Sequence, residues 1–448
     1  MPLRAIALLS ALLSALLSAA APATSAAEPL AGPRQSALLP WDDVRPLDIP
    51  PDSITFRDIE PEQIAFWTEF LFPPPPAFAE YADEFARLLA FGRKEDADAA
   101  SVLLRAAPLP ADALRFSSDP AEDPLSALPL PWAHAVAALR EAAGQTDDAI
   151  ASWYAIATFG DGGGTPVPDA ERDWRDLWAQ AMAADRYLSA TEKWTDETTR
   201  ARRDALCPLG ARRAAEVVCR LDPSGLRGRV FLIVLAPAKP NFTAAPSTGG
   251  LSPIGAVFEE IGCTNAVASV ILSRNERQWA WVLRGAGWAS SVTDEGWRGF
   301  REHLDKAVAH ALRARALEPR WPEPWHALMA PAGAGRYAAE SLDDLARGAL
   351  ARQIDYVWAL DPLFHFSLPR WCNGGAPACL RALRAVVDIP RTDVATPFKA
   401  LEKLDFLLDD QLSYGRASYA RAGFSAPLDI DPRLWPAFRS RMQAETLA

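Results

Sequence analysis

From residue 61 onward the chain keeps returning to one unit: a helix-length stretch with an apolar stripe, a short turn, and often a proline that stops it. Over 77–91 the stripe is Phe78, Tyr81, Phe85, Leu88 and Leu89, at steps of three and four, which places the side chains on one face of a helix. Gly92 turns the chain and 97–106 follows. Around Gly144, 132–143 and 146–159 form a second hairpin, and 168–194 is a longer helical stretch with Trp174 and Trp178 one turn apart. Pro61 suits the first turn of a helix over 61–72. The run 73–76 must end it, because a ring-locked residue without an N–H cannot continue the hydrogen-bond ladder. No such unit can bury its stripe alone. The pattern therefore predicts an all-α fold of stacked helix–turn–helix pairs, an α-solenoid or an irregular helical bundle.

The best-specified helix begins at Thr293, a capping residue followed by Asp294 and Glu295, whose charges favour the positive helix end. Its face is Trp297, Phe300, Leu304, Val308, Ala311 and Leu312, and it stops at Ala316-Leu317-Glu318-Pro319. The same A-L-acid-P mark returns at Ala359-Leu360-Asp361-Pro362, 43 residues later, which reads as an internal period. Ser341 with Asp344 predicts a helix start between the two marks. A last helical stretch is expected from Thr396-Pro397. The span 228–287 is ambiguous. Its apolar run 230–235 fits a buried strand or a buried helix, so a small α/β insert is the alternative there.

Met1 to Arg4 form a short basic start, 5–21 an Ala, Leu and Ser stretch, and Ser25, Ala26 and Ala27 a small-residue end before Glu28. That order predicts a removable secretory signal over 1–27 and a periplasmic or secreted chain. The apolar stretch is shorter than the ~20 residues of a membrane-spanning helix, so no stable span is expected after cleavage. Residues 28–60, punctuated by proline, read as a linker or wrapping arm. The roughly 420 residues beyond the signal exceed one ordinary core, which points to several domains or a repeat array. The expected division is a helical domain over 61–225, a connecting region over 226–290 and a second helical domain over 291–448. A net charge of -11 without a basic stripe argues against nucleic-acid partners, whose phosphates need clustered Lys and Arg.

In an oxidising compartment close cysteine pairs favour disulfides, so Cys207–Cys219 and Cys372–Cys379 are the expected bridges, with Cys263 a buried thiol. No zinc-type spacing accompanies them, and no cofactor or metal is expected. His303 and His310 lie two helical turns apart, too far to share a metal, whereas His326 and His365 follow the two A-L-acid-P marks at comparable places and are candidates for a shared site. Gly250 to Gly255 has one residue too many for a nucleophile elbow, and Pro253 follows Ser252, so a serine hydrolase is a weak alternative and no catalytic residue is assigned. Among the 16 tryptophans, Trp281, Trp288, Trp321, Trp325 and Trp371 could line a groove for a peptide or a glycan.

One segment resembles a known family. Trp279-Ala280-Trp281, Arg284 to Ala289, Val292 to Trp297, Leu317-Glu318-Pro319 and Leu368-Pro369-Arg370-Trp371 together resemble an uncharacterised bacterial tetratricopeptide-like family over 278–390. There one or two glycines follow the P-[RK]-W element; here Cys372 and Asn373 come before Gly374 and Gly375. The resemblance implies a helical-repeat fold and supplies no activity. The candidate binding residues are Arg284, Trp288, Trp325, Arg370 and Trp371, and the expected role is an exported module for a protein or peptide partner, with glycan or cell-wall binding as the alternative. Expressed in an exporting host, the chain should be recovered outside the cytosol with a new N-terminus close to Glu28 by intact mass. Cytosolic protein retaining Met1 would refute this.

Overall fold

The computed structural model describes residues 54–91, 128–158, 172–235, 250–285 and 289–367. Residues 1–27, the 97–106 helix, Trp288, Arg370, Trp371, Cys372, Cys379 and the stretch from Thr396 therefore lie outside the described residues.

Thirteen α-helices carry the described chain: α1 Glu60–Leu71, α2 Ala82–Phe91, α3 Leu130–Ala142, α4 Thr146–Thr158, α5 Trp174–Ala190, α6 Glu197–Leu221, α7 Gly225–Leu235, α8 Pro253–Glu260, α9 Ala266–Arg284, α10 Asp294–Leu317, α11 Glu323–Gly333, α12 Leu342–Leu350 and α13 Leu360–Ser367. The fold is all-α. Local chemistry explains most boundaries. Pro61 occupies the first turn of α1, and Phe72 leaves the helix in extended conformation before the proline run. The Thr293 hydroxyl accepts from Gly296 N at 3.0 Å to open α10. Ser341 and Asp344 cap α12 reciprocally, the Ser341 hydroxyl accepting from Asp344 N while the Asp344 carboxylate accepts from Ser341 N.

Among the described residues of 228–287 there is no strand, and the apolar run 230–235 on which the α/β alternative stood is helical, which corrects it. The apolar run belongs to α7, which packs against both α1 and α9. Phe231 sits edge-on to Phe66 and Trp178, each at 4.9 Å between ring centroids. A helix covered on several sides shows no single stripe, which is why periodicity could not identify it.

The 43-residue mark does not recur as a structural unit. At the first, α10 ends and Glu318 closes it; at the second, Leu360 opens α13, with Pro362 inside its first turn. Proline is tolerated at both kinds of place, since neither needs its missing N–H.

Packing is mostly neighbour on neighbour. α3, α4, α5 and α6 pack in succession, as do α9, α10, α11 and α12, while alternate helices also touch, α3 with α5 and α9 with α11. One apolar core runs from Ile59 through α9 to Leu272 and takes in Ala314 and Trp321; a smaller cluster of Ala280, Phe300 and Leu304 lies between α9 and α10. α9 and α10 run antiparallel: Ser273 Oγ donates to Ala307 O at 2.8 Å, and Glu276 meets His303 at 2.5 Å. The ends of the described chain also meet, because Ile354 N donates to Ile54 O at 2.9 Å.

The cysteine pairing differs from the expected one. Cys219 at the end of α6 bonds to Cys263 just beyond α8, with Cα atoms 5.7 Å apart, while Cys207 keeps its thiol. Cys207 and Cys219 lie on the same helix, and twelve residues of helical rise hold them ~18 Å apart, far beyond disulfide reach. Burial, with a smaller contribution from Asp185, raises the Cys207 pKa. The bond spans 44 residues, a loop whose closure contributes about 4 kcal/mol in the chain-entropy account. Replacing Cys219 and Cys263 together by serine should lower the unfolding free energy by that order, and Cys207→Ser by much less. Peptide mapping without reductant should join the Cys219 and Cys263 peptides; a Cys207–Cys219 linkage would refute the pairing.

Candidate functional site

α9 has two polar faces. Ser273 and Glu276 turn to α10, where the buried Glu276 carboxylate holds His303 beneath the ring of Trp279, 4.1 Å away between centroids. Arg274 and Arg277, one turn apart, lie on the adjacent face, about 100° round the helix. They meet His326 on α11 and Tyr356 on the segment between α12 and α13, each coupled to them electrostatically. Among the described residues no carboxylate pairs with either arginine.

Below this group lies a buried ion pair. Arg229 on α7 and Glu323 on α11 are 2% and 4% exposed, with Arg229 Nε 3.1 Å from the carboxylate. Arg229 also donates to the buried Gln353 side chain, and its Nη1 has no hydrogen-bond partner among the described residues. Glu323 stands one turn before His326, and Gln353 three residues before Tyr356. The pair therefore fixes both elements that carry the site. Tyr356 N donates to Gln353 O at 3.1 Å, which tightens the turn leading to the phenol.

The Tyr356 hydroxyl lies 3.5 Å from His326 Nδ1 and is also within hydrogen-bonding reach of Arg274. Arg277 and His326 are each half-buried. Beside them Trp358, 5.3 Å from Tyr356 between ring centroids, is 46% exposed and carries the aromatic surface out to solvent.

The electrostatics follow from enclosure and like charge. Burial, then the neighbouring charge of Arg274, lowers Arg277 to about 10. Burial, then Arg277 and Arg274, holds His326 well below the ordinary imidazole value, so it is neutral at pH 7. Burial, then the Glu323 charge, raises Tyr356 far above an ordinary phenol, so its proton stays on. The cluster thus presents two guanidinium charges, a phenol donor and a neutral imidazole. Guanidinium forks match oxyanion geometry, so the set has the chemistry to meet an anion.

Of the binding residues proposed from sequence, the two that are described, Arg284 and Trp325, fall elsewhere. The Arg284 guanidinium sits over Trp281 and Trp297, at 5.4 and 5.3 Å from the ring centroids, and donates to Gly285 O; it joins α9 to α10. Trp325 is held between the guanidiniums of Arg315 and Arg352, 3.5 and 4.0 Å from its centroid. It also presses on Gly348, where a Cβ would stand 2.0 Å from the ring. Both are packing arrangements. Trp281 packs edge-on to Phe300, and Trp321 is fully buried. Ser252 is the fully buried cap of α8 and bonds Asn275, so it is not placed as a nucleophile. Of the two histidines proposed to share a site, His326 joins the arginine cluster, while His365 stacks edge-on to Phe366. Among the described residues no three His, Cys, Asp or Glu side chains gather as a metal ion requires, and no described helix is long and apolar enough to cross a membrane.

Sequence reasoning singles out His326 but misses Arg274, Arg277 and Tyr356. One signal was present. The helix neighbours of the two arginines at three and four residues are Val270, Ile271, Ser273, Gln278, Ala280, Trp281 and each other, with no acid among them. No protein-family model matches the chain, and no curated protein or solved structure is similar to it.

The depressed imidazole sets a pH dependence. A histidine whose folded pKa lies below its unfolded value of about 6.5 adds stability above that pH, and the contribution is lost as pH falls through the folded value. His310, lowered by burial and by Arg313 and Lys306, acts with the same sign. Stability against denaturant should therefore fall as pH drops below about 6.5, and His326→Gln should flatten that slope while leaving the His310 share. An unchanged slope in the variant would contradict the burial of His326.

Proposed function

We propose that this chain is an exported binding protein that holds a protein or peptide partner by an acidic group seated among Arg274, Arg277, His326 and Tyr356. The carrying observation is the contact of Tyr356 with His326 at 3.5 Å beside the half-buried Arg274 and Arg277, which have no carboxylate paired to them among the described residues. Like charges placed together repel where solvent is scarce, and an incoming oxyanion relieves that repulsion while supplying acceptors. Trp358 beside this group offers an exposed ring for the apolar part of the same partner. Export rests on the order of basic, apolar and small residues over 1–27, and the Cys219–Cys263 bond is in keeping with an oxidising compartment. The antiparallel α9–α10 hairpin supports the tetratricopeptide-like reading of 278–390 as part of this proposal. Glycan binding draws less support, since Trp281, Trp321 and Trp325 are engaged in packing.

The test compares fluorescent peptides rich in Asp and Glu with matched amide peptides of Asn and Gln. The acidic set should bind, and Arg277→Gln should weaken it roughly ten- to a hundredfold, the range for losing a hydrogen bond to a charged group. Equal binding of acidic and amide peptides, or an unaffected variant with native circular dichroism, would overturn the proposal.

A further inference from the structure

The proline run that ends α1 is held at the surface from both sides. Phe72 leaves the helix with φ -84° and ψ 139°, and Pro75 has φ -56° and ψ 144°, both close to polyproline II values. One buried side chain grips both ends. The Trp132 indole N–H donates to Leu71 O at 2.7 Å, and its ring stacks on the buried Phe78 at 5.2 Å between centroids. Arg175, itself paired with Asp173, donates to Phe72 O. Phe78 N donates to Pro75 O at 2.8 Å. The carbonyls at 71, 72 and 75 are thus engaged, and the chain between them is fixed.

The rest of the run faces outward. Phe72 is 65% exposed, more than any other large apolar side chain among the described residues. Pro73 and Pro76 are exposed, and Pro74 and Pro75 are half-buried. Among the described residues nothing donates to the carbonyl of Pro73 or Pro74. No proline of the run has an N–H to offer. Next to Arg175 the half-buried Trp174 lies under Arg227, whose guanidinium is 5.8 Å from the ring centroid and pairs with Glu69 at 3.0 Å. The charges flanking the run therefore come as neutralised pairs, Arg227 with Glu69 and Arg175 with Asp173.

These features define the chemistry that fits them. A surface with acceptors and no donors cannot take an added strand, and is met by donors on side chains. Flat proline rings beside an exposed phenyl ring are covered by aromatic faces, which bury apolar area without needing hydrogen bonds there. Tryptophan and tyrosine supply both a face and a donor. Stopping α1 requires the prolines, but it does not require an exposed phenyl ring ahead of them.

We propose that residues 72–76 form a docking ridge, taken by a partner protein through a groove lined with tryptophan and tyrosine side chains. The chain is the ligand at this face, whereas at α9 it is the receptor, and neither reading rests on the other. A ridge already fixed at both ends loses little conformational freedom on binding.

The experiment is calorimetric titration of the full mature chain with three purified domains that carry such grooves, an SH3, a WW and an EVH1 domain. Each domain is first shown to bind a synthetic proline-rich peptide. At least one of them should bind the chain at a one-to-one ratio. Phe72→Ser and Pro74→Ala should each weaken that binding roughly tenfold or more, and the exposed Arg320→Gln should leave it unchanged. Circular dichroism first establishes that each variant is folded. A synthetic peptide of residues 69–78 should compete for the same groove and bind more weakly than the folded chain. No binding of the chain by any of the three, or unchanged binding by folded Phe72→Ser and Pro74→Ala, would overturn the inference. So would a peptide that binds where the chain does not, since the ridge would then be closed off within the fold.

Discussion

The buried pair of Arg229 with Glu323 is the constraint on which the described architecture depends. An arginine 2% exposed cannot remain in a core without a partner, and removing one member of such a pair typically costs about 3–5 kcal/mol. Arg229 is the one buried charge of α7, which sits against α1 and α9, so its partner dictates which helix lies on the remaining side. That helix is α11. Gln353 adds a second contact from beyond α12. Three segments distant in sequence are thereby brought to one point, and the same point sets His326 and Tyr356 opposite α9.

α9 then divides its polar residues between two tasks. Glu276 and Ser273 are spent on α10, where a carboxylate–imidazole contact and a hydroxyl–carbonyl contact lock the longest pair of helices. Arg274 and Arg277 are left toward His326 and Tyr356. Acid and base thus occupy adjacent faces of one helix, about 100° apart, which leaves two arginines without a paired carboxylate among the described residues in a chain whose net charge is -11.

Much of the local structure was legible in the sequence because its causes are local. Pro61, Thr293, Ser341 and Asp344 mark helix starts through hydrogen bonds within a few residues, and the structure has them in those roles. What failed depended on neighbours from afar. The run 230–235 carried no period because helices cover it on more than one side. The A-L-acid-P marks looked equivalent but lie at a helix end and a helix start. Cys219 found Cys263 because the end of α8 folds back on α6, which spacing alone could not reveal. The site was the least legible part. Its residues come from α9, α11 and the turn before α13, and only His326 stood out, for a partnership with His365 rather than with two arginines.

The meeting of Ile54 with Ile354 carries a consequence for how the chain acquires its fold. The segment before α1 has no place to rest until a strand-like contact made roughly 300 residues later is available, and contacts so distant slow folding because the loop must close before any gain is realised. A polypeptide threaded across a membrane from its N-terminus would present α1 to α6 first, and these can pair with their neighbours as they emerge. The last closure, which seats Gln353 on Arg229 and brings Tyr356 to His326, waits for nearly the whole described length to arrive. This meeting is therefore among the last of the described contacts to form, and a molecule stalled or cut before Tyr356 would hold most of its helices without it.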